Sequence, residues 1–144
     1  MKFKIFQFVP AAIALFGLAS AKISYWCMYS NGFCHGTWIS HVYQYFTNPF
    51  YNFSLYFLPI AIILIFVSRP VFNSWLKFAV WMIPLAILFI AATPVSSSVP
   101  LDLFPFYRDD AARLAGGIFS VVSLALILWK SFTQRRNPQV EGSR

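Results

Sequence analysis

The chain of 144 residues has room for one domain, and 59% of its residues are hydrophobic while only 10% are charged. These proportions exclude an ordinary soluble domain and make the lipid bilayer the natural solvent for the chain. The net charge of +7 does not indicate a nucleic-acid partner, because the basic residues are spread along the chain and mostly flank apolar runs.

Four apolar segments approach the length of about 20 residues that a membrane-spanning helix needs. We predict helices over residues 5–21, 52–67, 75–93 and 111–129. Together they form an all-α polytopic membrane helix bundle, a single transmembrane domain over residues 1–133. Residues 134–144 are polar, and we predict a disordered cytoplasmic tail there.

The first apolar segment has two interpretations. A basic start, an apolar stretch and Ala19-Ser20-Ala21 together fit a cleavable signal peptide. Cleavage would leave three transmembrane helices. We favour retention and four helices, because the apolar run is nearly long enough to span the bilayer and the rest of the chain is polytopic.

The first long loop, residues 22–51, holds both cysteines of the chain, Cys27 and Cys34. Thiols outside the cytoplasm tend to be oxidised, and Asn31-Gly32 supplies a turn between the two, so we predict a local disulfide. A thiol-redox function is the alternative, by resemblance to the four-helix oxidases that reoxidise periplasmic disulfide carriers. Against it, the spacing is not C-x-x-C and the second outer loop has no cysteine.

A metal site is a further alternative for the same loop, since it collects soft and borderline ligands suited to copper or zinc. Their spacing matches no structural zinc pattern, and we predict neither a metal nor another cofactor. The ligands would be Cys27, Met28, Cys34, His35 and His41.

The loop also contains aromatic and aliphatic residues at helical spacing. Trp38, Val42 and Tyr45 recur in this way between residues 36 and 48. We expect a short helix in the headgroup layer, able to cap the bundle or to receive a partner.

Asp109 and Asp110 immediately precede the last apolar segment, where carboxylates can accept the free N–H groups of a helix start. We predict helix caps, with general acid/base chemistry at the membrane surface as the alternative. Phe106, Asp110 and Gly116 also fall at the spacing of the last motif of lipoprotein signal peptidases. No Asp precedes Asp102, however, so the first catalytic aspartate has no counterpart, and we predict no catalytic residue.

The last segment carries small residues, Ala112, Gly116 and Ser120, at four-residue steps. Small residues let another helix backbone approach closely. We favour packing within the molecule over a dimer seam.

The distribution of Lys and Arg predicts the orientation in the membrane. Eight of the 11 fall on the side of the 68–74 turn and of the C-terminus, and three fall on the other side. By the positive-inside rule the C-terminus is cytoplasmic, and loops 22–51 and 94–110 face outward.

The second half of the chain resembles an uncharacterised family of short four-helix bacterial membrane proteins. The resemblance implies four helices, a bacterial inner membrane and no particular activity. It is carried by Val71-Phe72-Asn73-Ser74-Trp75-Leu76-Lys77-Phe78-Ala79, Pro84, Thr93-Pro94, Arg108-Asp109 and Lys130-Ser131.

The function we expect is that of a non-enzymatic partner or assembly protein of a membrane complex, in contact with the lipid bilayer and other membrane proteins. Aromatic outer loops and the scarcity of polar groups in the apolar segments motivate this hypothesis. The alternatives are a membrane-surface enzyme or thiol-redox protein using Asp109 with Asp110 or Cys27 with Cys34, and a small transporter. The transporter is disfavoured because ion and solute paths are normally marked by polar intramembrane side chains.

Overall fold

The computed structural model describes residues 2–29, 38–94 and 107–136. The described residues form helices only: α1 (Lys2–Tyr29), α2 (Trp38–Val42), a π-helical segment (Tyr43–Thr47), α3 (Asn48–Phe66), α4 (Arg69–Ala92) and α5 (Arg108–Arg136). Within them, four stretches are long and apolar enough to cross a membrane: Phe6–Cys27, Ser40–Phe66, Arg69–Ala92 and Arg108–Gln134. The predicted four-helix all-α architecture is confirmed, and the chain is a multi-pass membrane protein.

The second spanning helix begins earlier in the chain than residue 52. Val42 and Asn48, on either side of the π-helical segment, both have right-handed helical dihedral angles, so α2, the π-helical segment and α3 form one continuous helix. The amide N–H of Asn48 donates to the carbonyl of Tyr43, five residues back. Pro49 follows and has no N–H to donate, and the wider π turn lets the helix continue past it. Much of the expected outer loop 22–51 is therefore helical.

The helices do not pack in chain order. α3 packs against α1 on one side and against α5 on the other, and α5 packs against α4. The order across the bundle is therefore α1, α3, α5, α4. Among the described residues, α1 packs extensively against the second spanning helix and α4 packs extensively against α5.

Aromatic rings fill the junction of α3, α4 and α5. Phe119 is fully buried, and its ring meets Phe57 edge-on at 5.5 Å between centroids. Trp75 stacks on Phe57 at 6.1 Å, and its indole Nε1 donates to the Ser123 hydroxyl at 3.1 Å. Such ring pairs contribute about 0.5–1.5 kcal/mol beyond burial alone. The indole bond also satisfies the polar atom that the large ring brings into the core.

Two glycines let α3 approach its neighbours on opposite sides. A Cβ added to Gly17 of α1 would collide with the Ser54 hydroxyl, and one added to Gly116 of α5 would lie 3.2 Å from the backbone of Phe53. Ser120, one turn beyond Gly116, donates to the Tyr56 carbonyl at 2.7 Å. The small-residue stripe of α5 thus lies against α3, inside the molecule.

Ala112, the first member of that stripe, is also fully buried.

Side-chain hydrogen bonds close the end of the bundle where α3 turns into α4, which we name the Ser68 end. Gln7 of α1 donates to the Val67 carbonyl at 2.8 Å, and the Ser68 hydroxyl donates to the Gln134 side chain of α5 at 2.8 Å. Val67 is extended, and Pro70 is the second residue of α4, in the first turn where a proline is tolerated. The turn between α3 and α4 is therefore hydrogen-bonded to both α1 and α5.

Candidate functional site

An apolar groove of about 610 Å³, which we name the lateral groove, lies between α1 and α4 with α3 as its floor. Its volume falls within the range of about 300–1,000 Å³ that is typical of small-molecule sites. Phe50 and Phe53 line the floor, and the π-helical segment lines one end with Tyr45 and Phe46. The groove is on the opposite side of the bundle centre from the Ser68 end.

The length of the lateral groove follows from the residues that α4 contributes. Its lining on α4 extends from Ile83 to Ala91, which corresponds to about 12 Å at roughly 1.5 Å rise per residue. The hydrocarbon core of a bilayer is about 30 Å thick, so one leaflet supplies about 15 Å. The length of the groove along α4 is therefore close to the thickness of one leaflet.

Arg108 is the only charged residue among the described residues that line the groove. Its Nε and Nη2 donate to the Thr93 carbonyl at 3.2 and 3.0 Å, and Nη2 also donates to the Ala91 carbonyl at 3.2 Å. A cation at these carbonyls complements the negative end of the α4 dipole. The guanidinium also lies 5.0 Å from the centre of the Tyr45 ring, a cation–π contact. Arg108 thus holds α4, α5 and the π-helical segment together at one end of the groove.

A polar cluster joins α3 to α5 near the same end. Asn48 donates to the Asp109 carboxylate at 2.6 Å, and Arg113 donates through Nε to the Asn52 side-chain oxygen at 3.2 Å. Asn52 in turn donates to the Asn48 carbonyl at 3.1 Å. The cluster therefore acts as a chain of contacts between two helices.

The two aspartates have different roles at the start of α5. Asp110 accepts a hydrogen bond from the backbone N–H of Tyr107, the residue before the helix, at 3.4 Å, as the third helical residue of a capping box does. It also lies 4.0 Å from Arg113. Asp109 bonds to Asn48 instead, so this carboxylate joins two helices.

Two of the remaining candidate ligands lie on the described helices. His41 is exposed on α2, with its ring 6.4 Å from that of Tyr45, and Cys27 lies near the end of α1. Cys34 and His35 lie outside the described residues, so the disulfide stays a prediction. Among the described residues, no three His, Cys, Asp or Glu side chains lie close enough together to hold a metal.

Sequence reasoning did not find the lateral groove or the partners of the aspartates. The predicted outer loop 22–51 includes Asn48, whereas the predicted helix 52–67 begins at Asn52, so the prediction does not place the two on one helix. Their four-residue spacing is a usable signal, since it places both on one face of a helix. The sequence carries no such signal for the groove, because the residues that line it are as apolar as residues that face lipid.

No family model matches the chain, and no curated protein and no solved structure matches it with significant similarity.

Proposed function

We propose that this chain is a non-enzymatic protein of the bacterial inner membrane that binds one hydrocarbon chain of a membrane lipid in the lateral groove. The observation that carries the proposal is the groove itself, apolar along its walls and bordered by Arg108 at one end. In this role the protein would hold or present a lipid.

The size of the groove favours a hydrocarbon chain over a protein segment. A transmembrane helix is about 10–12 Å wide and needs about 30 Å of length to cross the bilayer. The groove extends about 12 Å along α4 and has a volume of about 610 Å³. It accommodates a lipid chain of one leaflet, but only part of one face of a helix.

The engagement of the polar side chains supports a role without catalysis. Asp109 is bonded to Asn48, and Asp110 pairs with Arg113 and the start of α5. In the part of the chain that the structure describes, every buried side-chain nitrogen and oxygen has a hydrogen-bond partner. These groups therefore stabilise contacts between helices.

The orientation remains part of the proposal, with the C-terminus in the cytoplasm. The excess of Lys and Arg on the side of the Ser68 end supports it. A membrane-impermeant thiol reagent applied to the periplasmic face tests it through Cys27. We expect labelling after reduction and little labelling before, because we place Cys27 outside and bonded to Cys34. Labelling only after the membrane is permeabilised would reverse the orientation.

Photo-crosslinking tests the binding of a lipid chain. The protein is reconstituted in vesicles of phosphatidylcholine that carries a diazirine on its acyl chain, and the labelled residues are mapped by mass spectrometry. Ile87 and Leu88 are adjacent on α4 and both are exposed, at 59% and 66%, but only Ile87 lines the groove. Ile87→Trp fills the groove, and Leu88→Trp is its matched control.

We expect labels to concentrate on Phe16, Ile83 and Ile87 in the wild type, and the labelling of Phe16 and Ile83 to fall in Ile87→Trp but not in Leu88→Trp. Labels spread evenly over the whole lipid-facing surface would contradict the proposal. So would equal labelling of Phe16 and Ile83 in the two variants.

The outward face of α4 favours a second candidate, the partner or assembly role. Val80 and Trp81 are 62% and 77% exposed, and Leu85 lies one turn further along the helix and is also exposed. A transmembrane helix of a partner protein could pack on this face. Cross-linking in membranes followed by purification tests it: Trp81→Ala should reduce a specific adduct, whereas Trp129→Ala on α5 should not. An adduct that neither variant changes would argue against this face.

A further inference from the structure

We infer that the lateral groove selects anionic phospholipids, and that the headgroup phosphate accepts hydrogen bonds from the guanidinium of Arg108. The inference rests on the proposed function, because it names the class of lipid that the groove would take. It is motivated by the position and by the hydrogen bonds of this single cation.

The bonds already made by Arg108 leave part of its guanidinium available. The three hydrogen bonds to Ala91 and Thr93 use Nε and Nη2. The Nη1 amino group takes no part in these bonds and carries two N–H donors. Because the first two nitrogens fix the plane of the guanidinium, Nη1 is held in place before a ligand arrives, which lowers the entropic cost of binding.

The neighbouring acids make their hydrogen bond and ion pair with other residues, although the charge of Arg108 also acts on Asp109. Asp109 accepts from Asn48 at 2.6 Å, and Asp110 lies 4.0 Å from Arg113. The two acids nearest to Arg108 in sequence therefore already have partners when a phosphate binds Arg108. Arg–phosphate contacts are charge-assisted and among the stronger hydrogen bonds in proteins.

Along the membrane normal, the groove and Arg108 follow the same order as a lipid, with the charge at headgroup depth and the apolar part towards the bilayer centre. Arg108 begins the fourth spanning stretch, Arg108–Gln134, so its charge belongs at headgroup depth. The apolar lining continues from Ala91 back to Ile83, towards the bilayer centre. A lipid with its phosphate at Arg108 therefore places one acyl chain along the groove in its ordinary orientation.

The experiment compares two headgroups on the same photoreactive chain. Vesicles contain equimolar phosphatidylglycerol and phosphatidylcholine, with the diazirine on one lipid at a time, and labelling of Ile83 and Ile87 is measured. We expect the wild type to favour phosphatidylglycerol about tenfold, because both lipids offer a phosphate but the choline cation of phosphatidylcholine repels Arg108, whereas the headgroup of phosphatidylglycerol has no cation. Arg108→Gln should abolish this preference, and Arg108→Lys should retain part of it. Arg69→Gln, which removes a charge at the Ser68 end, should retain all of it.

The outcomes separate this inference from the function on which it rests. Equal labelling by both lipids in the wild type, or an unchanged preference in Arg108→Gln, overturns headgroup selection and leaves chain binding in place. Absence of groove labelling with either lipid overturns both. Labelling by phosphatidylcholine also serves as the folding control for Arg108→Gln, because the groove must be intact to be labelled. If that labelling is lost as well, the wild-type ratio and Arg108→Lys decide the question.

Discussion

Adjacent glycines on α5 allow the contact between α3 and α5 to be measured. A Cβ on Gly116 would lie 3.2 Å from the Cα and the carbonyl oxygen of Phe53 and 3.3 Å from the Cβ of Tyr56. These atoms belong to the backbone or to the root of a side chain, so they cannot rotate away. A Cβ on Gly117 would have no neighbour within 4 Å. Gly116→Ala and Gly117→Ala therefore differ in whether the added Cβ meets α3.

The magnitude follows from two opposing terms. Replacing a helical glycine by alanine favours the helix by up to about 1 kcal/mol, and this term is shared by both variants. Overpacking at Gly116 costs about 1–3 kcal/mol, because α3 and α5 must separate slightly. The separation also weakens the bond from Ser120 to Tyr56 and the packing of Phe53 on Phe119. Gly116→Ala should thus be about 1–3 kcal/mol less stable than Gly117→Ala.

The free energies of unfolding of the two variants are measured by reversible unfolding in mixed micelles. Far-ultraviolet circular dichroism follows the unfolding as the fraction of sodium dodecyl sulfate rises. Comparing the two variants with each other cancels the helix-propensity term. If Gly116→Ala were as stable as Gly117→Ala, or more stable, the close approach of α5 to Phe53 would not exist as described.

Three further predictions concern other contacts in the bundle. A double-mutant cycle of Trp75→Phe and Ser123→Ala in the same assay should give a coupling of about 0.5–1 kcal/mol, because the indole N–H bonds to the hydroxyl; zero coupling would contradict that bond. Asn48→Leu should destabilise by about 1 kcal/mol through its lost bond to Asp109, and adding Asp109→Leu should recover part of the loss, because no partner is then left unpaired. The mass of the protein isolated from membranes should include residues 2–21, since α1 forms a wall of the groove; a mass that fits cleavage after Ala21 would contradict retention.

The spanning helices were predictable because the bilayer allows few alternatives. A backbone in lipid must satisfy its own hydrogen bonds, so an apolar run of sufficient length becomes a helix. The ends were less predictable. The second spanning helix extends back through the polar Asn48 because Asp109 of α5 accepts a hydrogen bond from its side chain. A contact between residues 61 positions apart is not visible in a local pattern.

The order of the helices and the groove could not be predicted for a related reason. In a soluble bundle an apolar stripe shows which face is buried, but in a membrane both the packed face and the lipid-facing face are apolar. On α4, the buried Ala79 and the exposed Val80 are adjacent and equally compatible with lipid. Gly116 and its stripe carried a signal of close packing, because small residues mark close approach, although they did not identify α3 as the neighbour.

The spatial order α1, α3, α5, α4 has a consequence for how the protein is made. During synthesis α3 and α4 enter the membrane before α5, the helix that packs extensively against both of them, exists. Until α5 arrives, Trp75 has no Ser123 to receive its indole hydrogen. The last helix to leave the ribosome is thus the one that completes the interior. A chain that stops before residue 108 would leave the Trp75 indole N–H and the Asn48 side chain without the partners that α5 supplies.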